Sequence, residues 1–160
     1  TMAAGCVVEV GAGSGSLLEN LIPELTGDVE AWAVEASPMA RGSLTDVLPP
    51  DRVISTMNQL PGSLDGAIVA NELIDNLPVA LAVRSGSGWV EHAVTIDGEG
   101  FGFVETEARA EVVEWADRFG GEVPEGGIVE VQLRAASWLE DAIGHLGRGV
   151  VVLIDYGGTA

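Results

Sequence analysis

Residues 7–21 read VVEVGAGSGSLLENL: an apolar run, three glycines at alternate positions, then a helical pattern. The run starts near Gly5 and predicts a short buried strand over about residues 5–10. The glycines are Gly11, Gly13 and Gly15, and beyond them one helical face is formed by Leu17, Leu18, Leu21, Ile22 and Leu25. This strand–turn–helix unit directs backbone N–H groups and a positive helix end toward a ligand.

The first half of the chain repeats this alternation of strands and helices. Strands are predicted over about 29–35, in RVIST (52–56) and over about 66–70. Ser37 is the predicted N-cap of a helix that has Pro38 at its first position, whereas Pro23 counts against the second half of the first helix. Short connections and mostly non-alternating apolar strands predict an α/β fold with a parallel sheet covered on both faces.

The middle of the chain has a different pattern. Residues 79–106 alternate more and contain the turn signals GSG and DGEG, so they predict a three-stranded antiparallel meander inserted on the parallel sheet. A helix is predicted over about 107–119, ending at Gly120, and its apolar face holds Val112, Val113, Ala116 and Phe119.

Three more segments complete the prediction. GGIVEVQ (126–132) fits a short strand or an extended loop, and GVVVLIDYG (149–157) predicts a last buried strand. Between them a helix over about 135–146 is expected to end at Gly147, with one stripe formed by Trp138, Leu139, Ala142, Ile143 and Leu146.

The composition narrows the class of protein. Seven basic residues against 25 acidic ones give a net charge of −18, which disfavours nucleic acid and suits a cationic partner or a well-solvated surface. We expect no membrane span, no metal site, and incidental roles for His92 and His145. The single Cys6 fits a small buried side chain, and we expect a cytoplasmic location. Both ends look cut, so we expect a fragment; the sequence indicates no oligomeric state.

Two acidic residues indicate the ligand. The dinucleotide pattern requires glycine at position 16, where Ser16 stands. Glu9, two places before the first glycine, instead suits a cationic ligand such as S-adenosylmethionine, which carries a sulfonium and an ammonium but no phosphate. Glu35 ends the second strand 20 residues after Gly15, at the spacing of a carboxylate that binds ribose hydroxyls.

This combination predicts a cofactor site formed by Glu9, Gly11, Ala12, Gly13, Gly15, Glu35, Ala36 and Asn71. Each signal alone has another explanation. The glycine turn fits a tight connection, and Glu35 fits a helix-entry charge. NAD carries the same ribose, so Glu35 does not separate the two cofactors, whereas Glu9 and the glycine spacing do.

The motifs EVGAGSG (9–15), VEASP (34–38), VANELIDNLP (69–78), WVEHAV (89–94) and LIDYG (153–157) occur in this order. With them, nearly the whole chain resembles the MidA-like methyltransferases, a bacterial and mitochondrial family linked to respiratory complex I assembly. The resemblance implies a seven-stranded Rossmann-like fold with a β-rich insertion after the fourth strand, and S-adenosylmethionine as methyl donor. From the mitochondrial members it implies an arginine of a protein as acceptor. The family has more chain at both ends.

By position, the resemblance matches Gly11, Gly13 and Gly15 to the glycine loop and Glu35 to the ribose carboxylate. It matches Asn71, Glu72 and Asp75 to the segment that faces the methyl donor. These three are the candidate catalytic residues.

Carboxylate pairs hold a guanidinium in a bidentate manner and orient one nitrogen. Glu72 and Asp75 lie three apart, so one helical turn would place them on one side, and Glu72 is the first candidate. Asn71 fits a polar contact near the methyl group or an Asx turn. Glu91 and Glu130 could approach as well, although a surface carboxylate explains each of them better.

Asp155 and Tyr156 end the last strand at the same sheet edge, as ligand contacts or as a strand-end turn. The sequence therefore predicts one methyltransferase domain over 1–160, with a β-rich insertion at about 79–106 and an arginine-bearing protein substrate. The alternatives are an NAD-binding oxidoreductase domain and a non-catalytic binding or assembly module that retains the fold.

Overall fold

The computed structural model describes residues 5–98 and 100–156. Glu99 in the predicted DGEG turn and Gly157 in the last motif lie outside these residues. In chain order the elements are β1 (Gly5–Val10), α1 (Ser16–Leu21), β2 (Val29–Val34), α2 (Pro38–Leu44), β3 (Val53–Ile54), β4 (Leu64–Asn71), β5 (Ala80–Ser85), β6 (Gly88–Asp97), β7 (Gly100–Glu107), α3 (Ala110–Phe119), β8 (Ile128–Val131), α4 (Leu133–His145) and β9 (Leu146–Ile154).

The chain divides into two compact units. The first comprises the residues up to Asn76 and from Trp138 onward, and the second comprises Leu77–Ser137. The second unit therefore contains α3 and β8 in addition to the predicted insertion. Each unit is organised around one sheet.

The first unit contains a parallel sheet in the order β3-β2-β1-β4-β9. This confirms the predicted fold class, and the described residues supply five strands of the seven that the resemblance implies. Because parallel strands point in one direction, their carboxyl ends meet at one edge, where open α/β sheets bind ligands. The glycine loop, Glu35 and Asp155 follow strands at this edge, and Asn71 is the last residue of β4 there.

Apolar clusters lie on both faces of this sheet, as predicted for strands without alternation. One contains Val8, Val10, Trp32, Val34 and Ile68, and the other contains Ala12, Leu18, Ala33, Leu44 and Leu48. Ser37 caps α2 by accepting a hydrogen bond from the Ala40 N–H (3.4 Å). α1 ends at Leu21 and continues as a 3-10 turn over Ile22–Glu24, which agrees with the interruption expected at Pro23.

The last strand corrects two predictions. β9 is an edge strand that pairs only with β4 among the described residues, so its apolar side chains are largely exposed instead of buried; Val150 is 56% exposed. Leu146, predicted as the end of the helical stripe, pairs with Leu64 in the sheet. α4 consequently ends at His145, and Gly147 lies inside β9 rather than terminating the helix.

The single cysteine departs from the prediction in degree. Cys6 lies in β1 and is half-buried rather than fully buried. Partial burial, and secondarily the Glu30 carboxylate, raise the pKa of its thiol to about 11. The thiol is therefore protonated at neutral pH.

The second unit contains the predicted antiparallel meander. Its sheet has the order β7-β6-β5-β8, so the segment left open between strand and loop forms β8 and pairs with β5. α3 covers one face, where Val112 and Ala116 are buried with Ala82 and Val131. α3 begins at Ala110 instead of 107 because β7 runs to Glu107. Among the described residues of either unit, no helix is both long and apolar enough to cross a bilayer.

Candidate functional site

The glycine loop depends on its three glycines for different reasons. Gly11, Gly13 and Gly15 have φ values of 74°, 54° and 86°, in a region that side chains disfavour. A Cβ at Gly11 would lie 2.9 Å from Leu73 Cδ1, and one at Gly15 would lie 2.7 Å from Leu44 Cδ2. A Cβ at Gly13 would meet no atom within 4 Å. Packing thus requires the outer two glycines, while Gly13 faces space through which a ligand can approach the backbone.

Glu35 bonds directly to this loop. Its Oε2 accepts the Gly13 N–H (2.8 Å), and its Oε1 accepts the Ser37 N–H (2.7 Å). The loop is also tied to the end of β2, because the Gly11 N–H donates to the Val34 carbonyl (2.8 Å). A carboxylate offers about four acceptor positions, so both Glu35 oxygens retain capacity for further donors. The structure therefore brings the glycine loop and the candidate ribose carboxylate together.

The neighbouring candidates Ala12 and Ala36 contribute through the backbone. Ala12 is buried with Leu18 and Ala33, so its methyl group belongs to the core. Arg41 Nη1 donates to the carbonyl oxygens of Glu35 and Ala36 (both 2.7 Å). These bonds fix the segment that follows β2.

Glu9 is buried in β1 and is only 5% exposed. Its Oε2 has no hydrogen-bond partner among the described residues. Burial raises the pKa of this carboxyl to about 7, partly offset by the Leu18 amide. Because a nearby positive charge favours the ionised form of a carboxyl, a cationic ligand would stabilise the Glu9 carboxylate.

The turn after β4 differs from its predicted form. Glu72 has φ +50°, unusual for a residue with a side chain, and its N–H donates to the Ile154 carbonyl (2.7 Å). A 3-10 turn follows over Ile74–Asn76. Glu72 and Asp75 therefore do not share the helical turn that was expected, because the bond to β9 holds Glu72 outside it.

Side chains of the two residues that follow β9 complete this turn. The Tyr156 hydroxyl donates to Asp75 Oδ2 (2.7 Å), and Asp155 Oδ2 accepts the Ile74 N–H (3.0 Å). The bond to Asp75, with the charges of Asp75, Asp155 and Glu72, raises the pKa of Tyr156, so the hydroxyl stays a donor at neutral pH. Sequence reasoning missed Tyr156 as the partner of Asp75. The signal available was that both residues follow strands at the same edge.

The glycine loop and the turn after β4 lie against each other at the carboxyl edge. The close approach of Leu73 to Gly11 packs the turn after β4 on the glycine loop. Asn71, the last residue of β4, lies at this junction and is partly exposed. The edge carries the carboxylates of Glu9, Glu35, Glu72, Asp75 and Asp155, and no arginine forms an ion pair with any of them within the part of the chain that the structure describes. Such an edge favours a ligand with positive charge.

Of the remaining candidates, Glu91, His92 and Glu130 belong to the second unit, and His145 belongs to the first. Glu91 forms a bidentate ion pair with Arg109 (2.7 and 3.1 Å), which lowers the pKa of Glu91. Glu130 is an exposed carboxylate on β8. His92 stacks on Phe103, and His145 Nδ1 lies 2.8 Å from the Asp141 carbonyl oxygen. Glu91 is thus already satisfied within its own unit.

A parallel sheet with a glycine loop and a strand-end carboxylate at its carboxyl edge defines a Rossmann-like nucleoside-binding protein. A family model described as "Putative S-adenosyl-L-methionine-dependent methyltransferase" matches residues 2–160. The chain belongs to this family. This confirms the predicted class and cofactor at the level of the family, over the alternative of an NAD-binding domain. No protein of curated function matches the chain.

Two solved structures from Burkholderia thailandensis are similar to this chain. One, solved with bound S-adenosyl-homocysteine, is 31% identical, has a TM-score of 0.74 and matches 96% of this chain. The other is a native structure of an uncharacterized protein that belongs to the same superfamily as the first. It is 32% identical, has a TM-score of 0.75 and matches 98% of this chain. The chain spans 42% and 44% of the lengths of these two proteins.

Proposed function

We propose that this chain binds S-adenosylmethionine at the carboxyl edge of its parallel sheet and takes part in methyl transfer to a protein. The observation that carries this is the Gly13–Glu35 hydrogen bond (2.8 Å) at the same sheet edge as the buried Glu9 carboxylate, whose Oε2 has no partner among the described residues. Glu35 accepts hydrogen bonds from the ribose hydroxyls at its free acceptor positions. Glu9 stabilises the cationic methionyl end, and the space at Gly13 admits the ligand to the backbone.

The acceptor that this edge suits best is an arginine side chain. Glu72 and Asp75 orient the guanidinium, with Asp75 held in place by Tyr156, and Asn71 supplies a polar contact beside the methyl group. When bound, the cofactor supplies a methyl group: a carbon–nitrogen bond forms as the carbon–sulfur bond breaks, its electron pair passes to sulfur, and the nitrogen releases a proton. The carboxylates stabilise the cationic acceptor while this happens.

The finer identity rests on the resemblance described above. We propose a MidA-like protein arginine methyltransferase whose substrate is a subunit of a respiratory complex, acting in the cytoplasm. The net charge of −18 supports a basic protein substrate, because it attracts arginine-rich segments and repels nucleic acid.

Titration calorimetry with S-adenosylhomocysteine and with NADH tests the cofactor site. We expect binding of the first and no binding of the second. Transfer of labelled methyl groups to an arginine-containing peptide, with the matched lysine peptide as control, then tests the acceptor. Binding without transfer to any basic protein would instead support the non-catalytic alternative.

Glu72→Gln separates binding from transfer. The amide keeps the shape but loses the charge that holds a guanidinium, so we expect unchanged affinity for S-adenosylhomocysteine and a loss of transfer of about 100-fold or more. Glu24→Gln is the matched control, since Glu24 is an exposed acid of the same unit. Transfer at the unmodified rate in the Glu72 variant would remove Glu72 from the proposal.

A further inference from the structure

One face of the β6–β7 hairpin exposes four large apolar side chains. Val94 pairs with Phe103 and Ile96 pairs with Phe101, so all four lie on the same face. Their exposed fractions are 68% for Val94, 62% for Phe103, 76% for Ile96 and 87% for Phe101. We call these four residues the apolar hairpin face. Contiguous exposed apolar residues of this size mark interaction sites in folded proteins.

Acidic side chains continue this face toward the body of the sheet. The register places Glu105 and Glu107 of β7 on the same side as the apolar hairpin face, and Glu130 of β8 on the same side of the sheet. All three are exposed. The described residues on this side include no arginine, and His92 braces Phe103 by stacking at 5.7 Å. The surface is therefore apolar at the hairpin tip and negative beyond it.

β7 is also an outer strand of its sheet. Its far side pairs with no strand among the described residues, which leaves backbone N–H and C=O groups available. Proteins commonly recognise extended segments by adding them to such an edge, with alternate side chains reaching one face.

From these three features we propose that the apolar hairpin face and the β7 edge bind an extended segment of a partner protein that is apolar toward one end and cationic toward the other, with these side chains at every second position so that they share one face. The apolar side chains pack on Phe101 and Phe103, and the cationic ones reach Glu105 and Glu107. None of these residues belongs to the candidate cofactor site, so the inference is independent of the proposed function.

Charge argues against a second copy of this chain as the occupant. Each copy carries a net charge of −18, so charge repulsion opposes the association of two copies. A cationic segment meets the opposite situation, because the acids steer it to the surface.

The test is fluorescence anisotropy at physiological salt with a synthetic peptide that carries two arginines followed by two valines, each separated from the next by one threonine. The matched peptide with glutamates in place of the arginines is the control. We expect binding of the arginine peptide only. The double variant Phe101→Ser with Phe103→Ser should weaken it about tenfold or more, because the packing area is lost. Val104→Ser is the matched control: Val104 is an exposed apolar residue of the same strand on the opposite face.

The charges are tested separately. Glu105→Gln with Glu107→Gln should weaken binding several-fold, whereas Glu114→Gln on α3 should not, although it changes the net charge in the same direction. Equal binding by all variants would overturn the proposal. A dimer in sedimentation that the double serine variant abolishes would also overturn it. So would the finding that another part of the full-length protein covers Phe101 and Phe103.

Discussion

Glu35 and Glu91 are both positioned by β-strands, but their carboxylates have different partners. Glu35 follows a parallel strand and accepts two backbone N–H groups, with no arginine paired to it in the described residues. Glu91 lies within an antiparallel strand and is held by the fork of Arg109. The first carboxylate keeps its charge available to a ligand, whereas the second has it neutralised.

The difference follows from how each sheet is built. Parallel strands deliver all their carboxyl ends to one edge, so loops from β1, β2, β4 and β9 converge there. Antiparallel strands end alternately at both edges, and a side chain in mid-strand finds partners on its neighbours. Converging carboxylates that form no ion pair with an arginine therefore indicate a binding site better than acidic residues as such.

The largest effect that tests this difference is expected for Gly13→Val. The valine would fill the open space at Gly13 and block the ligand, so binding of S-adenosylhomocysteine in calorimetry should become undetectable. Gly62→Val is the matched control, because Gly62 also has a positive φ (75°) and no atom within 4 Å of an added Cβ. Undiminished affinity in the Gly13 variant alone would place the ligand elsewhere.

Next in size is the contrast between Glu35→Ala and Glu91→Ala. Losing two charge-assisted hydrogen bonds to ribose, at about 1.5 kcal/mol each or more, should weaken S-adenosylhomocysteine by about 100-fold or more. The Glu91 variant should bind normally. Comparable losses in both variants would mean that the charge difference between the two sites does not matter for binding.

The sequence predicted the parallel sheet well because its signals are local. The Gly11–Gly15 turn, the Ser37–Pro38 helix start and the apolar runs each depend on neighbouring residues. Where the fate of a segment depends on distant partners, prediction failed. Leu146 was predicted to be helical, but it pairs with Leu64 in the sheet. The β9 residues were predicted to be buried, but the strand has only one neighbour in the described sheet and they are largely exposed.

The candidate site divides in the same way. The direct bond between Gly13 and Glu35 agrees with a spacing that sequence reveals. The Tyr156–Asp75 bond joins residues 81 positions apart, and the bond from Glu72 to Ile154 sets a backbone conformation that helical periodicity cannot predict. Contacts between strand ends depend on the order of strands in the sheet.

A moderate effect is expected from pH, acting through Glu9. Its raised pKa, about 7, means that the buried carboxyl is protonated below that pH, and a cationic ligand binds the ionised form better. Affinity for S-adenosylmethionine, which carries the sulfonium charge, should therefore rise by up to about tenfold per pH unit as pH increases toward 7, and level off above it. Calorimetry between pH 5.5 and 8.5 measures this.

Glu9 should also make the stability of the ligand-free chain depend on pH, but in the opposite direction to the affinity. The folded pKa lies above the ordinary 4.5, so ionising Glu9 favours unfolding, and stability should fall as pH rises from about 4.5 to about 7. Glu9→Gln should remove both dependences. A pH-independent affinity in the unmodified chain would show that Glu9 does not contact the cationic end of the ligand.

The smallest effect is expected at Glu91, where Arg109 lowers the pKa of the carboxyl. The pair contributes stability above the ordinary pKa of 4.5 and loses it as pH falls below that value. Because Arg109 is half exposed, a double-mutant cycle of Glu91→Gln and Arg109→Gln in urea at pH 7 should give a coupling below about 1 kcal/mol. A larger coupling at pH 7 that disappears at pH 3 would show an essential structural pair. Loss of cofactor affinity in the Glu91 variant would instead make Glu91, like Glu35, part of the ligand site.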